Sequence, residues 1–184
     1  MEQERKAKRL RTLLPIGAVV IGLLVAIGFF LADQFAPDVE GVELTANILG
    51  GQHDSNLRYE FGGLPPIGGA HNPSWQNCGI YNTPVAPEYA IHSMEHGAVW
   101  ITYHPDLPAE QVALLEDAAR GQSYMLVSPY PDQENDIVMT AWGAQLLLDD
   151  ATDPRVEEFI DRYKGRLGPE QGASCSNGIG TTTG

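Results

Sequence analysis

The chain has 184 residues, 43% of them hydrophobic and 19% charged, enough for one ordinary globular domain with short flanking segments. From Asp33 onward 22 acidic residues face six basic ones, a balance that repels phosphate backbones. No local basic stripe offsets it, which excludes nucleic acid as a partner.

Arg5, Lys6, Lys8, Arg9 and Arg11 make residues 1–12 a basic segment. Leu13 to Ala32 then carries no charge, and twenty helical residues rise about 30 Å, the thickness of a bilayer core. The run exceeds the h-region of a cleaved signal peptide. Neither Phe30-Leu31-Ala32 nor Gln34-Phe35-Ala36 supplies the two small residues that cleavage needs. The expectation is a transmembrane signal anchor over 13–32, so that the chain is a single-pass protein of the cell membrane. The positive-inside rule then puts the N-terminus in the cytoplasm and the rest outside. In that compartment Cys78 and Cys175, which lack CxxC spacing, are expected to form a disulfide, with a thiolate metal site as the alternative.

Residues 33–41, with Pro37, read as a linker, 42–168 as a globular domain and 169–184 as a Gly-rich tail. Val42 to Leu49 has the content of a strand, and Leu57 to Phe61 of a shorter one. Gly62 to Pro87 is dominated by Gly, Pro and Asn and predicts a long ordered loop, fastened by His71, Trp75, Cys78 and Tyr81. Ala98 to Tyr103 reads as a strand. Asp106 to Arg120 reads as a helix with Asp106 as cap and Val112, Leu115 and Ala119 on one stripe. Tyr124 to Ser128, Ile137 to Trp142 and Gln145 to Leu148 are further strands, the last two separated by a bulge or bend at Gly143. Asp153 to Arg166 is a helix in which Val156, Phe159, Ile160 and Tyr163 recur at i, i+3, i+4 and i+7. The expected fold is α+β: two layers, a mainly antiparallel sheet with two helices on one face.

All five histidines lie between positions 53 and 104. The segment His92-Ser93-Met94-Glu95-His96-Gly97 admits two geometries. If extended, His92, Met94 and His96 share a face, a soft set suited to copper. If helical, His92 and His96 at i and i+4 stand beside Glu95, a set suited to zinc. Either needs further ligands, for which His71 and His53 are candidates. Glu95 can instead orient an imidazole from behind, and Met94 can simply pack in the core. His92-x-x-Glu95-His96 also matches the inverted zinc-protease motif, but Gly97 and the β-type run after it argue against the long helix that this chemistry requires.

The run Pro65-Pro66-Ile67-Gly68-Gly69-Ala70-His71, then Trp75, Cys78-Gly79-Ile80-Tyr81, His92 to Gly97, Ala98 to Tyr103 and Ser128-Pro129-Tyr130 resembles the domain of unknown function 3105 family, over roughly 42–166. The resemblance implies a membrane-anchored bacterial protein, supplies no activity, and picks out His53, His71, His92 and His96 with Glu95. Met94 departs from it, because leucine often stands there. The leading expectation is a copper or zinc site drawn from His53, His71, His92 and His96, with Met94 as an optional ligand and Glu95 behind them. A hydrolase using the same cluster with Glu95 as base, or a disulfide-stabilised interaction module without metal, are the alternatives.

Overall fold

The computed structural model describes residues 19–28 and 39–183, which belong to two units, Met1–Asp38 and Val39–Gly184. In the first unit residues 19–28 are helical (α1) with exposed side chains. Among the described residues no helix is long and apolar enough to cross a membrane. The described part of α1 rises about 15 Å, half of what a hydrocarbon core demands. This corrects the expected transmembrane anchor, and with it the membrane partner and the cell-membrane, extracytoplasmic placement. Residues 1–18 and 29–38, which include the basic segment, both ends of the expected span and most of the linker, lie outside the described residues.

The second unit is built in the order β1 (Glu43–Leu44), β2 (Gly79–Ile80), α2 (Pro87–Glu95), β3 (Val99–Tyr103), α3 (Ala109–Ala119), β4 (Met125–Pro129), β5 (Ile137–Ala141), β6 (Ala144–Leu148) and α4 (Arg155–Tyr163). The strands form one sheet in the order β1-β6-β5-β3-β4-β2. The expectation of a mainly antiparallel sheet is corrected: β4 runs parallel to both β3 and β2, whereas β3–β5, β5–β6 and β1–β6 are antiparallel. The cause lies in α3, which carries the chain back across the sheet between β3 and β4, the connection that parallel neighbours require.

Two layers become three. Alternate residues of the central strands point to opposite faces. Val99, Ile101, Met125, Val127, Ile137 and Met139 meet Leu115 and Ala119 of α3 and Val156, Phe159, Ile160 and Tyr163 of α4. The expected pair of helices on one face is therefore present, and the stripe read in each is the buried one. On the other face Trp100 and Leu126 pack against Ala90, Ile91 and Met94 of α2, together with Tyr81, Val85, Tyr130 and Trp142.

The remaining differences are local. The strand expected over 42–49 is reduced to two residues, because Asn47 takes a positive φ of 63° and turns the chain off the sheet. Leu57 to Phe61 forms no strand; Tyr59 and Phe61 pack on the α2-side core instead. Neither Asp106 nor Asp153 occupies an N-cap position, although Asp153 Oδ1 still accepts the Arg155 N–H at 2.9 Å. Gly143 sits in a two-residue turn between Ala141 and Ala144, not in a bulge. Its φ is 74°, and an added Cβ would stand 2.8 Å from Thr45 O, so the hairpin requires glycine there.

Candidate metal centre

Helix α2 begins with Pro87 in its first turn, where the missing N–H costs nothing, and ends at His96, whose N–H returns to His92 O. Gly97 (φ 107°) then turns the chain into β3, and an added Cβ would meet Gly165 Cα at 3.1 Å. The His92-to-His96 segment is thus the last turn of a nine-residue helix, the helical of the two expected geometries. At 100° per residue Met94 lies about 200° around from His92. It is fully buried among Ile91, Trp100 and Leu126, so the expected thioether ligand belongs to the core.

The loop before α2 brings two more histidines to the helix. A parallel bridge pairs His53 with His71, fastened by Asp54 N–H to His71 O (2.8 Å) and His71 N–H to Gln52 O (2.9 Å). The rings of His53, His71 and His92 stand 4.7 to 4.9 Å apart between centroids. One ligand atom from each of His53, His71, His92 and Glu95 lies within 4.8 Å of every other. His71 and Glu95 are sealed from solvent, His92 is nearly so, and the His53 side chain is about one-third exposed.

The hydrogen bonds fix which atoms face inward. His71 donates Nδ1–H to Gly69 O at 2.7 Å and His92 donates Nδ1–H to Asn72 O at 2.8 Å; a carbonyl cannot donate, so in the neutral form of each ring the lone pair is on Nε2. Glu95 Oε1 accepts the Gly51 N–H at 2.5 Å, and Oε2 faces His71 Nε2 at 2.9 Å and His53 Nε2 at 3.4 Å. The chain passes so near this carboxylate that a Cβ on Gly50 would meet Oε1 at 2.7 Å. Burial pushes the His92 imidazole below its ordinary pKa; its bond to Asn72 O opposes this, and the neighbouring His96, His71 and His53 add to it. The ring is thereby held neutral, the form that binds a cation.

The Glu95 carboxylate, expected to orient an imidazole from behind, offers an oxygen to the same group of four atoms as His53, His71 and His92. His96 belongs to a different set, with His92 and Glu170. It donates Nδ1–H to Ser174 O at 2.6 Å, and its Nε2 is 3.7 Å from Glu170 Oε2. Trp75 lies across both rings, 5.7 Å from His92 and 5.2 Å from His96. Cys78 and Cys175 form the disulfide, with Cα atoms 5.4 Å apart, and Cys78 N–H bonds to Cys175 O at 2.8 Å. Glu170 was missed because no local motif marks it. The available signal was the disulfide itself, which brings residues near 175 to the loop that holds Trp75.

The family described as "Protein of unknown function (DUF3105)" matches residues 52–177. The chain belongs to the DUF3105 family. Neither a curated protein nor a solved structure matches it. The DUF3105 match takes in every residue of both ligand sets and both cysteines.

Proposed function

We propose that this DUF3105 domain binds a divalent cation, zinc, through the imidazoles of His53, His71 and His92 and the carboxylate of Glu95. The observation that carries the reading is the convergence of one ligand atom from each of His53, His71, His92 and Glu95 within 4.8 Å of every other, with His71 Nε2 2.9 Å from Glu95 Oε2. A neutral ring and an ionised carboxylate would turn two lone pairs on each other there, so the contact calls for a shared proton, on the ring or on the carboxyl, or for a metal ion. One ion also serves His53 and His92, which a proton does not. Ligands 2.0–2.1 Å from a tetrahedral zinc stand about 3.4 Å from one another. About Oε2 the 3.4 Å separation to His53 meets that value, the 2.9 Å separation to His71 is shorter, and all four ligand atoms lie within 4.8 Å. The second ring nitrogens of His71 and His92 are held by backbone carbonyls, the support that orients metal-binding histidines. Copper drew its case from Met94; with the thioether in the core, three nitrogens and one oxygen make a set of borderline softness that suits zinc.

The alternative of water activation by Glu95 is not favoured. That carboxylate has no solvent access, and its Oε1 already accepts the Gly51 N–H.

Metal-free, disulfide-intact protein titrated with zinc is expected to take up one tight ion per chain, read by calorimetry and elemental analysis. His71→Ala should weaken it by at least about a hundredfold, because a ligand is lost from a site with three others. Absence of stoichiometric uptake by the wild type defeats the proposal, and a purely stabilising role for the histidines in an interaction module would then stand.

A further inference from the structure

The second set is not a repeat of the first, because the two share His92. The Nδ1–H of His92 is committed to Asn72 O, which leaves a single lone pair, on Nε2, and a lone pair binds one ion at a time. His92 can therefore complete either set but not both. The outer set repeats the geometry of the inner one: His96 gives its Nδ1–H to Ser174 O, which turns Nε2 toward the Glu170 carboxylate at 3.7 Å, with room for a cation between them. The sets differ in access. Glu95 is sealed, whereas the Glu170 side chain is half exposed. The rings of His92 and His96 are only 4.6 Å apart, so an ion would pass from one set to the other by exchanging ligands around His92 over a short path. Trp75 lies against both rings and limits the number of waters that can follow the ion.

Resting on the zinc centre proposed above, we infer that His92, His96 and Glu170 form an outer cation position that receives the ion from solvent and hands it to the inner position through His92. The chemistry it would recognise is a hydrated divalent ion of zinc type, exchanging water for one carboxylate and then two imidazoles.

The test uses full-length, disulfide-intact, metal-free protein and Co²⁺, whose visible absorption reports its coordination, with Zn²⁺ in parallel. Glu170→Gln keeps the side-chain shape and removes the charge at an exposed position. Its uptake rate should fall by at least about tenfold, with equilibrium affinity for the tight ion within about threefold of wild type. His96→Ala should behave alike. His71→Ala, with the inner position disabled, should retain one weakly held ion that is lost when Glu170→Gln is added. Wild-type uptake rates in both Glu170→Gln and His96→Ala, or undiminished weak binding in His71→Ala/Glu170→Gln, would overturn the outer position and leave the inner centre standing. Failure of the wild type to bind either ion would remove both.

Discussion

The contact between His71 Nε2 and Glu95 Oε2 has consequences that run in opposite directions with and without metal. In Glu95→Gln the amide N–H₂ can donate to the Nε2 of a neutral ring, a bond that the carboxylate makes only when the pair holds an extra proton. We expect the metal-free variant to melt at or above the wild-type temperature at pH 8, yet to lose the stabilisation that zinc gives, about 2.7 kcal/mol at a hundredfold excess of free ion over Kd. Thermal scans with and without zinc check both halves, and a variant destabilised without metal would contradict the first. His92 adds a pH dependence. Its native pKa lies below the ordinary 6.5, so the folded chain binds fewer protons there than the unfolded chain. Its contribution to stability is complete above about pH 6.5 and declines as pH falls through the lowered native value. Urea titrations of metal-free wild type and His92→Gln from pH 8 to pH 5 should show the wild type losing stability more steeply. Equal slopes would contradict the assignment.

Among the elements, the C-terminal segment does more than its glycines suggest. It bonds to the loop through Asn77 N–H to Ile179 O, Ile179 N–H to Trp75 O and Thr183 N–H to Ile80 O, and the disulfide closes a separation of 97 residues. A loop of that length places the stabilisation at about 2–5 kcal/mol. Cys78→Ser/Cys175→Ser should lose an amount in that range in denaturant titrations and, by loosening Ser174 and Glu170, weaken the outer position while the inner one persists. The helices α3 and α4 were legible because their apolar stripes follow the helical period and meet one face of a sheet. Helix α2 was harder to see, since nearly all its residues are buried, Glu88, His92 and Glu95 included, and a helix buried all round has no stripe to read. The parallel pairing of β3 and β4 was present in the order strand, helix, strand, but local composition does not state direction. The histidines could be picked out from their types and spacing. Their division into two sets could not, because it depends on which carbonyl holds each Nδ1.

At the scale of the whole molecule the acidic balance becomes a stability term. With 22 acidic against six basic residues from Asp33 onward, like charges repel across the folded surface, and the solvent-accessible ion pairs that Arg120 and Arg155 make with neighbouring carboxylates are too weak to offset this. Raising sodium chloride from about 10 mM to about 0.5 M should therefore raise the melting temperature by roughly 2–4 °C, the shift that about 1 kcal/mol gives at this size. A fall would mean that attractive pairs dominate. The sheet itself is covered on both sides, by α3 and α4 on one face and by α2 with its preceding loop on the other. This arrangement gives the cluster a chronology. His53, His71, His92 and Glu95 have all been synthesised by residue 95, whereas Glu170 and Ser174 follow every strand of the sheet. A nascent chain thus possesses the inner quartet long before the outer rim exists, and the rim is added as one of the final acts of synthesis.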